Sequence, residues 1–191
     1  MPRMADDTHL SHDAIALVGL SGAGKSTVGR LLATLLGWRL MDTDALVVRE
    51  AGREIPAIFA DEGEPGFRER ETAALRTALD EAPCVVATGG GIVLRAENRA
   101  LLRERALVVW LDAPTEALVA RLLAHDEARP LLAGEDPAGR LEGLRAARGA
   151  LYGELAHVVV ATAGRSPEAI CDEVLRVLRE AGEVQGGQGS A

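Results

Sequence analysis

Gly19-Leu20-Ser21-Gly22-Ala23-Gly24-Lys25-Ser26 is the stretch whose reading decides the fold of this chain. It matches G-x-x-x-x-G-K-[ST] at every fixed position and carries an extra glycine at position 22. The apolar run 14–18 precedes it. After it, Val28, Leu31, Leu32, Leu35 and Leu36 recur at helical spacing until Gly37 supplies a stop. A strand, a glycine-rich turn and a one-faced helix therefore follow one another, which is the setting the motif's chemistry needs. Glycines let the backbone curl so that successive N–H groups and the helix N-terminus converge on phosphate oxygens. Gly22, Ala23, Gly24, Lys25, Ser26 and Thr27 are thus candidate ATP-binding residues, with Lys25 expected at the β and γ phosphates and the Ser26 hydroxyl on Mg²⁺. A chance glycine-rich turn is the competing explanation, and the flanking strand and helix argue against it. The motif is silent about the second substrate.

The alternation continues along the chain. Further apolar runs at 38–41, 84–88, 107–111 and 158–161 read as strands, several of them apolar at every position, as strands covered on both faces are. Helical patterns between them predict an α/β fold. Ser166-Pro167-Glu168 supplies a cap, a first-turn proline and a first-turn carboxylate for a last helix carrying Ile170, Val174, Val177 and Leu178, expected to end at Gly182. Residues 45–82 read as helical with no intervening strand, a small helical insertion. The charged, Gly- and Pro-containing stretch at about 124–140 reads as a lid. Residues 1–12 and 183–191 lack periodic apolar positions and are expected to be mobile tails around one domain, 13–182.

Composition narrows the function classes. At 191 residues, 48% hydrophobic and 26% charged, the chain has enough apolar surface for one core and is far from the composition of disorder. No apolar run approaches the roughly 18 residues that would span a bilayer. The first thirteen residues carry Asp6, Asp7 and Asp13 without an apolar centre, so a secretory signal is not expected and a cytoplasmic location is. A net charge of -8 argues against nucleic acid or an anionic membrane as partner. Cys84 and Cys171 are too few for a disulfide framework or a zinc site and read as small buried hydrophobes. His9 and His12 form a weak candidate metal pair, set aside in a tail.

Three groups can face the phosphates. Asp42-Thr43-Asp44 stands just after the second strand, where one carboxylate can turn to a metal and the other to a substrate hydroxyl; helix capping explains the same residues equally well. Phe67-Arg68-Glu69-Arg70-Glu71 alone reads as a solvated helical face. Gly89-Gly90-Gly91 follows the strand 84–88 and puts bare backbone at a strand's C-terminal end, where open α/β sheets bind ligands; a plain flexible turn is the competing explanation. Val108-Val109-Trp110-Leu111-Asp112 imitates a metal-binding strand, but Asp112 leads into Ala113-Pro114-Thr115-Glu116 and reads as part of a helix start.

Taken together, these spaced motifs resemble the shikimate kinase family over residues 14–180. The match rests on Asp42 and Asp44, on Phe67, Arg68 and Glu71, on Gly89, Gly90 and Gly91, on Arg129-Pro130-Leu131 in the lid, and on Arg148 with Tyr152. The resemblance implies a three-layer fold with a five-stranded parallel sheet in the order 2-3-1-4-5. It implies that Arg68, Arg148 and the Gly90 amide hold the carboxylate and ring of shikimate, beside Gly89 and Gly91. Asp44 would contact ring hydroxyls, Arg129 would reach over the ATP phosphates, and the segment from Arg165 to Pro167 would lie against adenine. The implied reaction is ATP-dependent phosphorylation of the shikimate 3-hydroxyl, a step toward chorismate and the aromatic amino acids, with one Mg²⁺ per subunit on Ser26 and Asp42. A monomer is expected. Leu20-Ser21 and Gly149 depart from the usual pattern without touching a proposed catalytic atom.

The residues agree with that chemistry. A small hydroxylated carboxylate is well gripped by planar, permanently charged guanidinium groups, and Arg68 and Arg148 are the candidates. Phosphoryl transfer needs chiefly positioning and neutralisation, by Lys25, Arg129 and the metal. Asp44 either accepts the proton or orients the hydroxyl; a loose transition state favours orientation. A gluconate or nucleoside monophosphate kinase is the nearest rival, against which Arg68, the glycine triplet and Arg148 speak together. A regulatory module without catalysis is the rival from another class, opposed by retention of Lys25, Ser26, Asp42, Asp44 and Arg129.

Overall fold

The computed structural model describes residues 13–124 and 136–186. Five strands, β1 (Ala14–Val18), β2 (Arg39–Asp42), β3 (Cys84–Ala87), β4 (Leu107–Asp112) and β5 (Val158–Ala161), form one sheet in the order β2-β3-β1-β4-β5. Every pairing is parallel. β1 and β3 are buried at every position. That is the physical meaning of their unbroken apolar runs: a parallel sheet needs crossover helices, and those helices cover both faces.

Helix α1 (Lys25–Leu36) ends at Gly37 as its pattern predicts. α1 and α7 (Pro167–Gly186) pack on each other on one side; α3 (Ile55–Asp80), α4 (Ala96–Arg105) and α6 (Pro137–Leu155) build the opposite layer. Ile15, Leu17, Leu32, Leu75, Leu79, Leu102 and Leu111 are among the largest fully buried side chains between the layers. Each contributes about 1.5–3 kcal/mol of transfer free energy. Among the described residues no helix is long and apolar enough to cross a membrane.

The expected helical insertion consists of α2 (Thr43–Ala51) and α3, with no strand between them. α3 breaks at Gly63, whose φ of 67° and ψ of -175° leave the helical region just before Pro65. Two helix boundaries differ from the sequence reading. The last helix runs through Gly182 to Gly186, because a glycine costs a helix only about 1 kcal/mol and is not an obligatory stop. At the far end of the expected lid, residues 137–140 form the first turn of α6, with Pro137 opening the helix and Asp136 Oδ1 accepting from the Gly139 amide at 2.8 Å. α5 (Thr115–Ala124) closes on the other side of that segment.

Candidate active site

The phosphate loop joins β1 to α1 at the C-terminal edge of the sheet. Lys25 is only 9% exposed, and its ammonium donates to the carbonyls of Gly19 and Leu20 at 2.8 and 2.9 Å. Its charge therefore sits inside the curl of the loop. The next two residues of α1, Ser26 and Thr27, are exposed. Ser26 Oγ donates to Asp42 Oδ2 at 3.1 Å. Asp42 is the last residue of β2, and its other oxygen, Oδ1, accepts from the amides of Asp44 and Ala45 at 3.0 and 3.2 Å. The two readings of this carboxylate hold at once: one oxygen caps α2 and the other faces the serine of the phosphate loop.

The second group of candidate residues gathers around the glycine triplet after β3. Thr43, fully buried, accepts a hydrogen bond from the Gly89 amide at 2.9 Å and so ties the end of β2 to the triplet. Two carboxylates close on Gly89. A Cβ there would lie 2.6 Å from Asp44 Oδ1 and 2.8 Å from Glu71 Oε1. A Cβ on Gly91 would lie 2.1 Å from Arg68 Nη1. Bare backbone at these positions is what lets charged side chains approach so closely.

Arg68 is held from several directions. Nη1 donates to Glu71 Oε2 at 2.8 Å, while Nε and Nη2 both reach Glu64 Oε1, at 3.3 and 3.1 Å. Its Cζ lies 5.2 Å from the centre of the Phe67 ring, which stacks on Phe59 at 4.5 Å. The helical charge run expected to be solvated is thus partly internal: the Glu71 side chain is 1% exposed. Burial pushes the Glu71 carboxyl above the usual carboxylate range, although Arg68 and Arg148 pull it down. Burial alone would lower the pKa of Arg68, and Glu71 with Glu64 more than reverses this, so the guanidinium keeps its charge.

Arg148, on α6, donates from Nη1 to the Gly90 carbonyl at 3.0 Å, and the Tyr152 hydroxyl donates to the same oxygen. Tyr152 is buried and stacks on Trp110 at 5.7 Å. The two halves of the site meet at Gly90. A Cβ there would lie 3.6 Å from the Gly19 carbonyl and 3.7 Å from both the Ser21 amide nitrogen and Arg148 Nη1. Arg68 and Arg148, 80 positions apart in sequence (148 − 68 = 80), thereby flank one glycine triplet beside the phosphate loop.

Arg129 lies outside the described residues, as do Pro130, Leu131, His9 and His12. Arg165 pairs with Glu173 and donates to the carbonyls of Ala161 and Ala169. Asp112 ends β4, where its carboxylate pairs with Arg145 at 3.0 Å rather than capping α5. Arg121 was invisible in the sequence, being one cation on an ordinary amphipathic helix. It donates to the Gly22 carbonyl at 3.3 Å and to Thr162 Oγ1 at 3.0 Å, linking the phosphate loop to the turn after β5. Cys84 and Cys171 are buried free thiols, as expected.

A phosphate cradle at β1, a carboxylate facing its serine, and a guanidinium-flanked cup at β3 define a P-loop phosphotransferase acting on a small anionic acceptor. A family model described as Shikimate kinase matches residues 21–179. A shikimate kinase from Symbiobacterium thermophilum is 49% identical over 170 residues, covering 88% of this chain and 98% of the relative. One from a Synechococcus species is 48% identical over 162 residues, covering 85% and 82%. Among solved structures, a shikimate kinase from Acinetobacter baumannii in complex with shikimate superimposes with a TM-score of 0.84 at 40% identity, covering 90% of this chain and 95% of that one. The chain belongs to the shikimate kinase family, and the five-stranded sheet order matches the expectation.

Proposed function

We propose that the protein transfers the γ-phosphoryl group of ATP to the 3-hydroxyl of shikimate, giving shikimate 3-phosphate and ADP. The observation that carries this reading is the convergence of Arg68 and Arg148 on the glycine triplet, against Gly91 and Gly90, beside the phosphate loop. In it the two guanidinium groups and the Gly90 amide hold the acceptor's carboxylate, and Asp44, against Gly89, takes the ring hydroxyls and orients the nucleophile. Lys25 leaves its loop carbonyls for the terminal phosphates. Arg129, outside the described residues, is the cation that the family resemblance assigns to the ATP phosphates. The turn around Arg165 borders the adenine.

Ser26 Oγ and Asp42 Oδ2, two hard oxygens 3.1 Å apart beside the helix N-terminus, fit a Mg²⁺ that keeps most of its shell for water and phosphate oxygens. When bound, that ion neutralises charge on the transferring phosphates. The reading places a monomer in the cytoplasm.

A coupled ADP-release assay tests the proposal. Turnover must depend on shikimate; ADP release that is unchanged by its addition removes the assigned acceptor. Arg148→Ala should cost about 2–5 kcal/mol of transition-state binding, or roughly 30- to 5,000-fold in kcat/KM. A loss of less than a few-fold takes Arg148 out of the site.

A further inference from the structure

We propose that Arg145 is a positioning residue for Arg148, acting through a fork that fastens α6 to the end of β4. Its two terminal nitrogens reach different acceptors, Nη1 donating to Asp112 Oδ1 at 3.0 Å and Nη2 to the Ala113 carbonyl. One turn earlier on the same helix, Glu142 accepts from Thr115 Oγ1. Residues 142 and 145 thus grip consecutive parts of the β4–α5 junction.

This part of α6 needs such a grip. The buried side chains of the helix are Leu141, Tyr152 and Leu155, with Leu144 and Leu151 only partly buried. Arg148 projects from the stretch between Leu141 and Tyr152, where no side chain is fully buried. On the N-terminal side of Arg148 the apolar packing is lighter than at Tyr152, and a planar guanidinium on two acceptors adds a constraint on rotation and tilt there. The junction it grips lies close against the phosphate loop, since a Cβ on Gly19 would lie 2.4 Å from the Leu111 carbonyl. Arg145 therefore references the acceptor-binding arginine to the strand that borders the nucleotide cradle. It also gives Asp112 its role, that of a strand-end carboxylate anchoring a helix.

The inference rests on Arg148 holding the acceptor's carboxylate, and the experiment separates the two ideas. Steady-state constants for shikimate and for ATP are measured for Arg145→Ala, Arg145→Lys, Arg148→Ala and the Arg145→Ala/Arg148→Ala double variant. Arg145→Ala should raise the shikimate KM about tenfold with the ATP KM changed less than about twofold. Arg145→Lys, which keeps the stem and charge but not the fork and tests the same point if the alanine variant folds poorly, should fall between it and the parent. With Arg148 already removed, Arg145→Ala should add less than about twofold. Equal fold-changes in both backgrounds, an ATP KM that rises as much as the shikimate KM, or an unaltered shikimate KM would each overturn the positioning role. An Arg148→Ala variant with an unaltered shikimate KM would instead remove the reading on which it stands.

Discussion

The Arg68 guanidinium occupies the space that a side chain on Gly91 would need: a Cβ at that position would lie 2.1 Å from Nη1, 2.5 Å from Cζ and 2.6 Å from Nη2. Backbone and cation are complementary here, and the clash would fall on the flexible end of a side chain rather than on the main chain. Gly91→Ala should therefore displace Arg68 from the buried Glu71 carboxylate, cost about 1–3 kcal/mol of folding stability and raise the shikimate KM by about tenfold or more. Gly90→Ala, where the nearest atom would stand 3.6 Å away, should be the milder of the two. Thermal unfolding and steady-state kinetics of the pair check this; equal kinetics would separate Arg68 from the acceptor.

The two oxygens of Asp42 have separable roles. Asn caps a helix about as well as Asp, so Asp42→Asn should keep the stability of the parent but need more Mg²⁺ for half-maximal activity. Asp42→Ala should lose both functions, with about 1 kcal/mol of stability gone. Denaturant unfolding and a Mg²⁺ titration of activity distinguish them. A parent-like Mg²⁺ requirement in Asp42→Asn would leave the carboxylate as a cap only.

Arg121 joins the phosphate loop to Thr162. Arg121→Ala should raise the KM for ATP and leave that for shikimate within about twofold, with roughly 1–2 kcal/mol of stability lost with its hydrogen bonds. A shift confined to shikimate would contradict the placement.

Tyr152 is the chain's single tyrosine, so its ionisation can be read directly from phenolate absorbance. Burial pushes its pKa from 10.0 up to about 12, against a smaller downward pull from Arg148. The folded value lies above the unfolded one, so the protonated hydroxyl contributes stability that is complete below pH 10 and lost as pH rises toward about 12. The difference amounts to about 3 kcal/mol. Tyr152→Phe should flatten the stability profile over that window. A native-state phenolate midpoint near 10 would show that the hydroxyl is not shielded from water in the folded protein.

Much of the fold was legible because two periodicities alternate. The runs at 14–18 and 158–161 match β1 and β5 residue for residue, and β2 lies one residue along from its expected place. The phosphate loop was legible because its chemistry is local in sequence. Glu71 was harder to read: a charge run looks solvated until a glycine triplet from another strand covers it. Arg121 and Arg145 could not be read at all, since their partners, Gly22 and Asp112, lie 99 and 33 positions away and the helices carrying them have ordinary patterns. The break at Gly63 had a signal in Gly63-Glu64-Pro65, where a proline follows a glycine inside a helical stretch.

β1 and β3 are neighbours in register, with Leu17 level with Ala87, so donor cradle and acceptor cup leave the sheet side by side. The two loops consequently start from strands held about 4.8 Å apart by a hydrogen-bonded ladder. Side-chain replacement can retune which acid sits in the cup or how firmly it is gripped. The relative placement of the two loop origins belongs to the main chain, and changing it would require pulling apart the middle of the molecule.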